Sequence, residues 1–126
     1  MSMLETANLL VYIDELETMQ DDEYATWIKR EELAAEAEAK YQVLMRQRAM
    51  LEKDSGTPIT FISAFIRGDE DIAQARKQRD IAEALCEISK SKVTDIRLRI
   101  KVAEAQAQRE WAEREHNVPV SAPWAE

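Results

Sequence analysis

From Asp69 to Glu115 the chain carries one spacing without a break. Ile72, Ala75, Arg79, Ala82, Cys86, Ser89, Val93, Ile96, Ile100, Ala103, Ala107 and Glu110 recur at alternating intervals of three and four, with no Gly or Pro among them. That period belongs to an α-helix presenting one stripe, and a single helix cannot bury its own stripe. Asp69 stands where a capping residue for the first turn is expected, and Asn117 and Pro119 where the helix should close. At ~1.5 Å per residue such a helix is roughly 65–70 Å long, so a second long helix must lie beside it.

The partner is found upstream. Tyr24, Trp27 and Ile28 open a helical stretch that continues through EELAAEAEAK to about Lys53, with Ala34, Ala37, Tyr41, Leu44, Arg48 and Leu51 as its stripe. Before it, residues 5–19 predict a separate short helix with Leu9, Leu10, Ile13 and Leu16 on one face, and Asp21-Asp22 predict the break between the two. Between the long helices, Asp54-Ser55-Gly56 predicts a stop, with Gly56 available for a left-handed cap. Thr57-Pro58 then predicts an N-cap with proline in the first turn of a short helix ended by Gly68, in which Ile59, Ile62, Phe65 and Ile66 share a face. A strand over ITFISAFI is the alternative, but no second strand offers to pair with it.

The expected fold is therefore all-α: a long antiparallel, coiled-coil-like hairpin with a short N-terminal helix and a short apolar helix in the connector. Residues 1–116 form one helical domain in this reading, and 117–126, with Pro119 and Pro123, a flexible tail in which Trp124 is a possible anchor. Pairing Leu51 near Ile72 is expected to bring Arg48 toward Arg79. A second apolar row, Ile81, Ala84, Leu85 and Ile88 beside the main stripe, implies either the N-terminal helix folding back or association with other copies, and Ile62, Phe65 and Ile66 in the connector should pack on the hairpin tip or on another subunit; a homo-oligomer is expected.

Charge is unevenly spread. Residues 1–39 hold eleven acids against Lys29 and Arg30, residues 40–101 hold thirteen bases against nine acids, and residues 102–126 hold five acids against Arg109 and Arg114. The net charge of -8 argues against non-specific coating of duplex DNA, while the basic middle leaves room for a local anion site. The candidates near the connector are Arg46, Arg48, Lys53, Arg67, Arg76, Lys77 and Arg79; further along lie Lys90, Lys92, Arg97, Arg99 and Lys101. Arginines on a buried stripe demand carboxylates or phosphates, and Asp80 and Glu83 are the internal choices for Arg79.

Motifs of catalysis are missing from the sequence: there is no CxxC, HExxH, glycine-rich phosphate loop or G-x-S-x-G. With a single Cys86 and a single His116, no metal site or cofactor is expected, Glu113 and His116 being one isolated E-x-x-H pair. No enzyme is predicted. Neither a secretory signal nor a membrane span is expected, because the longest apolar run lies within Ile59–Ile66.

The segments AEAEAKYQVLMRQRAMLEK and RDIAEALCEISKSKVTDIRLRIKVAEAQ resemble small helical proteins encoded by bacteriophages. The order of long helix, glycine-bearing connector, and long helix with a mid-helix Cys resembles more distantly the UvsY recombination mediator family of T-even phages. The resemblance covers roughly residues 34–110. It implies an oligomeric helical protein of the bacterial host cytoplasm that binds single-stranded DNA and helps load a recombinase onto strands covered by single-strand binding protein. Carried onto this chain it implies DNA contact by basic residues between Lys40 and Lys101, first among them Arg46, Arg48, Arg76, Lys77 and Arg79. Two other readings stand beside it: a structural oligomerisation module, and an acidic mimic of DNA whose charges from Glu5 to Glu38 block a host nucleic-acid-binding protein.

Overall fold

The structure is a computed structural model and describes residues 3–116. Trp124, Asn117, Pro119 and the expected tail lie outside the described residues. Three helices follow in order: α1 (Met3–Asp54), α2 (Ile59–Gly68) and α3 (Glu70–His116), with no strand among the described residues. The first and third are long, as the spacing requires.

One expectation is corrected at the start. No short N-terminal helix exists, because α1 runs without interruption through Asp21 and Asp22. The 3/4 spacing explains this. Leu9, Ile13, Leu16, Gln20, Glu23, Trp27, Arg30, Ala34, Ala37, Tyr41, Leu44 and Arg48 keep one phase, and each of them is half-buried or buried. Two aspartates cost a helix interior only tenths of a kcal/mol each, with neither Gly nor Pro to break it. Leu10, expected on the covered face, is off this phase and exposed.

At the other end, local chemistry stops the helix as predicted. Gly56 takes a positive φ of 78°, Thr57 N donates to Glu52 O at 3.0 Å and Gly56 N to Lys53 O at 3.1 Å, the paired bonds of a Schellman stop. Thr57 does not cap α2, contrary to expectation. Its hydroxyl donates to Glu52 Oε2 at 2.7 Å, and Pro58 occupies the N-cap with no side-chain bond. Asp69 does cap α3, its Oδ1 accepting from Ile72 N at 2.9 Å.

Contacts divide the chain into two compact units. Among the described residues, one contains 3–23 with 92–116, and the other contains Tyr24–Ser91. In the first, Leu16 packs with Ile96 and Ile100, and Val93 and Ala103 are buried as the α3 stripe predicts. Glu110, a polar member of that stripe, is 4% exposed and accepts from Gln106 Nε2 at 3.3 Å.

In the second unit Tyr41, Ile72 and Ala75 form the core, with Leu44, Met45 and Ile66 packed against it. Burying a side chain such as Ile72, 2% exposed, stabilises the unit by roughly 2 kcal/mol. Contacts across this unit pair Arg30 with Ser89, Glu38 with Arg79, Tyr41 with Arg76 and Arg48 with Asp69, so partner numbers fall along α3 as they rise along α1. This register corrects the expected approach of Arg48 to Arg79: Arg48 is held at the start of α3 by the capping Asp69, ten residues before Arg79. Leu51, expected on the stripe, is 56% exposed, because half-buried Glu52 turns inward instead to hold Arg48 and Thr57.

Candidate functional site

The predicted cations fall into distinct groups. Arg48, Arg76 and Arg79 are absorbed by the second unit. Arg48 Nη2 lies 3.0 Å from Glu52 Oε1 and Nη1 3.4 Å from Asp69 Oδ2, while its buried Nε has no hydrogen-bond partner. Arg79 stands 4.5 Å above the Tyr41 ring, with Asp80 at 2.9 Å, Glu38 at 3.6 Å and Glu83 at 3.9 Å. The hydrogen bond to Asp80, more than any other influence, raises its pKa, so it stays a cation at every working pH. Arg76 sits 5.7 Å from the same ring, its Nε donating to Tyr41 Oη at 3.4 Å. One tyrosine thus carries two guanidinium groups, the arrangement that cation–π attraction favours.

A second group, Arg46, Lys53, Arg67 and Lys77, is exposed and makes no ion pair with a described residue. Lys53 and Arg67 occupy the last turns of α1 and α2, where a cation complements the helix dipole. Across residues 46–80, however, seven bases meet six acids, so this region is nearly neutral.

The third group lies on α3. Lys92, Arg97, Arg99 and Lys101, all in the first unit, are exposed, and Asp95 is the one acid in the same ten residues. Lys92 and Arg99 are seven apart and share one flank of the stripe formed by Val93, Ile96 and Ile100; Arg97 and Lys101, four apart, share the other. Arg99 Nη2 meets Asp95 Oδ2 at 3.1 Å, but both side chains are more than half exposed, which makes the pair weak and displaceable. Arg97 in this group, and Lys90 at the end of the second unit, are exposed and each engaged in a contact of its own.

Two features escaped the sequence reading. Arg30 belongs to the α1 stripe, and its Nη1 donates to Ser89 Oγ at 2.8 Å and to Leu85 O at 3.2 Å. The same phase that selects Ala34 and Ala37 reaches it four residues earlier, so the signal was present. The second feature is an apolar groove of about 380 Å³ in the second unit, with Leu33 and Ala37 on one side and Ile81, Ala82 and Leu85 on the other, rimmed by Arg30, Glu36 and Lys40. Ile81, Leu85 and Ile88 are exposed, in keeping with their expected place on a second row beside the buried one. Of the connector residues, Ile62 and Ile66 are half-buried, while Phe65, Phe61 and Ile59 face outward, Ile59 being 85% exposed.

Cys86 is buried, and burial first, then the nearby Glu31 carboxylate, pushes its thiol up, the opposite of what a nucleophile needs. Among the described residues no group of three or more His, Cys, Asp or Glu is placed to hold a metal ion, and no helix is long and apolar enough to cross a membrane. No family model, curated protein or solved structure matches the chain.

Proposed function

We propose that the protein is a non-enzymatic, self-associating accessory that binds single-stranded DNA along α3, of the kind that helps a recombinase displace single-strand binding protein in a phage-infected bacterial cytoplasm. The observation that carries the reading is the run Lys92, Arg97, Arg99 and Lys101, four exposed cations facing a single acid within an otherwise acidic chain. In this reading α1 and α3 form a long antiparallel hairpin of coiled-coil type, which holds those cations on a rigid helix rather than on a loop. The DNA contact moves away from Arg48 and Arg79, whose charges are already paired with carboxylates of the chain, and from Arg76, which lies against the Tyr41 ring. Aromatic platforms are absent from residues 92–101, so attraction to the backbone supplies the affinity and little sequence preference results.

The test is titration of a labelled single strand at about 50 and about 200 mM salt. Neutralising about four phosphates predicts a slope near −3 in log–log form, a roughly 50-fold loss of affinity over that range. Charge reversal in Arg97→Glu with Lys101→Glu should abolish binding, while Arg46→Glu with Lys77→Glu should weaken it only slightly. Salt-independent binding, or none at low salt from a folded protein, overturns the proposal.

A second reading, a purely structural oligomerisation module, draws on the exposed Ile59, Phe61 and Phe65 of α2 and the exposed Ile81, Leu85 and Ile88 of α3. A stable oligomer that ignores DNA would establish it.

A further inference from the structure

The groove between Leu33 and Leu85 carries enough chemistry to name its occupant. Its floor is apolar, from Leu33, Ala37, Ile81, Ala82 and Leu85, and the large side chains among these remain outward: Leu33 is 57% exposed. A helix pair whose adjoining flanks both carry apolar residues beside the buried stripe accommodates further helices in that trough.

The rim says which helices. On α1, Arg30 lies three residues before Leu33 and Glu36 three residues after it, and both line the groove; Lys29 precedes Arg30. Suppose a second copy lays its own α1 across this trough. If the two α1 helices run parallel with Leu33 opposite Leu33, Arg30 faces Arg30 and Glu36 faces Glu36. If they run antiparallel about a two-fold axis at Leu33, each Glu36 meets the other copy's Arg30, with Lys29 beside it. The antiparallel arrangement pairs Arg30 with Glu36 twice and sets the third rim charge, Lys40, opposite the neutral Thr26 instead of a second Lys40, and only a surface complementary to itself can do that. Arg30 has donors to spare, because only its Nη1 is engaged, with Ser89 and the Leu85 carbonyl.

We infer that the trough lined by Leu33, Ile81 and Leu85 is the interface of an isologous dimer, in which a second copy of this chain packs antiparallel about Leu33 and closes two Glu36–Arg30 pairs. It rests on the self-association in the function proposed above and adds the surface, the symmetry and the charge pairs. DNA binding through Lys92–Lys101 does not depend on it, so the two can fail separately.

The experiment is analytical ultracentrifugation of the full chain, with circular dichroism to verify folding. Wild type is expected to dimerise or assemble in multiples of two. Leu33→Asp, an exposed position whose change should leave the helices intact, should weaken self-association at least about tenfold, the loss of one apolar anchor. Glu36→Arg should weaken it as well, and Glu36→Gln, which removes the charge without reversing it, should weaken it less. In a Cys86→Ser background, oxidised Leu33→Cys should give a covalent dimer, because a residue on a two-fold axis meets itself. A wild-type monomer at about 50 µM, far above the dissociation constants typical of specific dimers, overturns the inference. So does a folded Leu33→Asp protein with unchanged mass, since the contact would then lie elsewhere. Should Ile59→Asp dissociate the assembly while Leu33→Asp does not, α2 is the interface and the groove assignment is wrong.

Discussion

Arg30 Nη1 donates to Ser89 Oγ at 2.8 Å across 59 residues of sequence, and Ser89 is fully buried where it accepts. A guanidinium and a hydroxyl facing each other on two largely apolar stripes favour one register, because sliding either helix by a turn separates the buried hydroxyl from the guanidinium that donates to it. Polar pairs at such positions specify alignment more than they add stability.

Removing that pair should therefore show as coupling. Ser89→Ala and Arg30→Ala are each expected to cost about 1 kcal/mol, and the double variant less than the sum. Urea denaturation of the four proteins of the cycle measures it, and simple additivity would remove the register role.

Tyr41 is the platform on which Arg76 and Arg79 both rest while it fills the core beside Ile72. Tyr41→Ala should lower stability by about 3 kcal/mol, as truncation of a buried aromatic does. Arg79→Glu places an acid among Glu38, Asp80 and Glu83, so its melting temperature should fall while DNA affinity changes little. The raised pKa of Arg79 lies beyond the working range, so its contribution is fully present at ordinary pH and is not titrated away as pH rises toward 10. A DNA-binding defect without a stability defect in Arg79→Glu would return this residue to the interface.

Cys86 offers a pH-dependent readout. Its folded thiol is raised by burial, so the thiol form is favoured in the native state; the associated stability is intact below the unfolded thiol pKa and declines as pH rises toward and through the folded one. Native Cys86 should react with a thiol reagent at pH 8 at least about tenfold more slowly than the urea-unfolded chain, a ratio that stopped-flow absorbance gives directly. Equal rates would mean that the site is open.

Gly56 has a positive φ, yet a Cβ built there meets nothing within 4 Å. Gly56→Ala should thus cost only the left-handed backbone penalty of about 1 kcal/mol, and Gly56→Asn appreciably less. Thermal denaturation tests both, and a neutral alanine would show that the turn readjusts.

Much of the architecture was readable because helical periodicity repeats every few residues. The α3 stripe from Ile72 to Glu110 was selected from spacing alone, and every member is buried or half-buried. The stop at Gly56 and the cap at Asp69 were legible for the same reason: each is chemistry within one turn of chain. Asp21-Asp22 misled because acids at a helix start and acids within a helix look alike locally, and the phase running from Leu16 through Gln20, Glu23 and Trp27 decides between them. Thr57 misled similarly, since Thr-Pro is a good helix start until a carboxylate such as Glu52 takes the hydroxyl.

For the candidate site the balance is different. Composition marked thirteen bases in the middle of the chain but could not say which were already spoken for. Arg48 finds Glu52 and Arg79 finds Asp80 and Glu83 within one turn of their own helices, but each gains a further carboxylate from the other side of the unit, Asp69 and Glu38, and those pairings depend on the register between α1 and α3. Helicity, the buried face of α3 and the turn at Gly56 came from the amino-acid order itself, since they are contests among neighbours a few residues apart. Asp80 and Glu83 as partners of Arg79 were legible as well; the register, the cross-unit partners of Arg48, Arg76 and Arg79 and the groove at Leu33 came only from tertiary structure, because they are contests between residues tens of positions apart. A period repeats identically at every turn and so cannot select one alignment; Arg30 meeting Ser89 can.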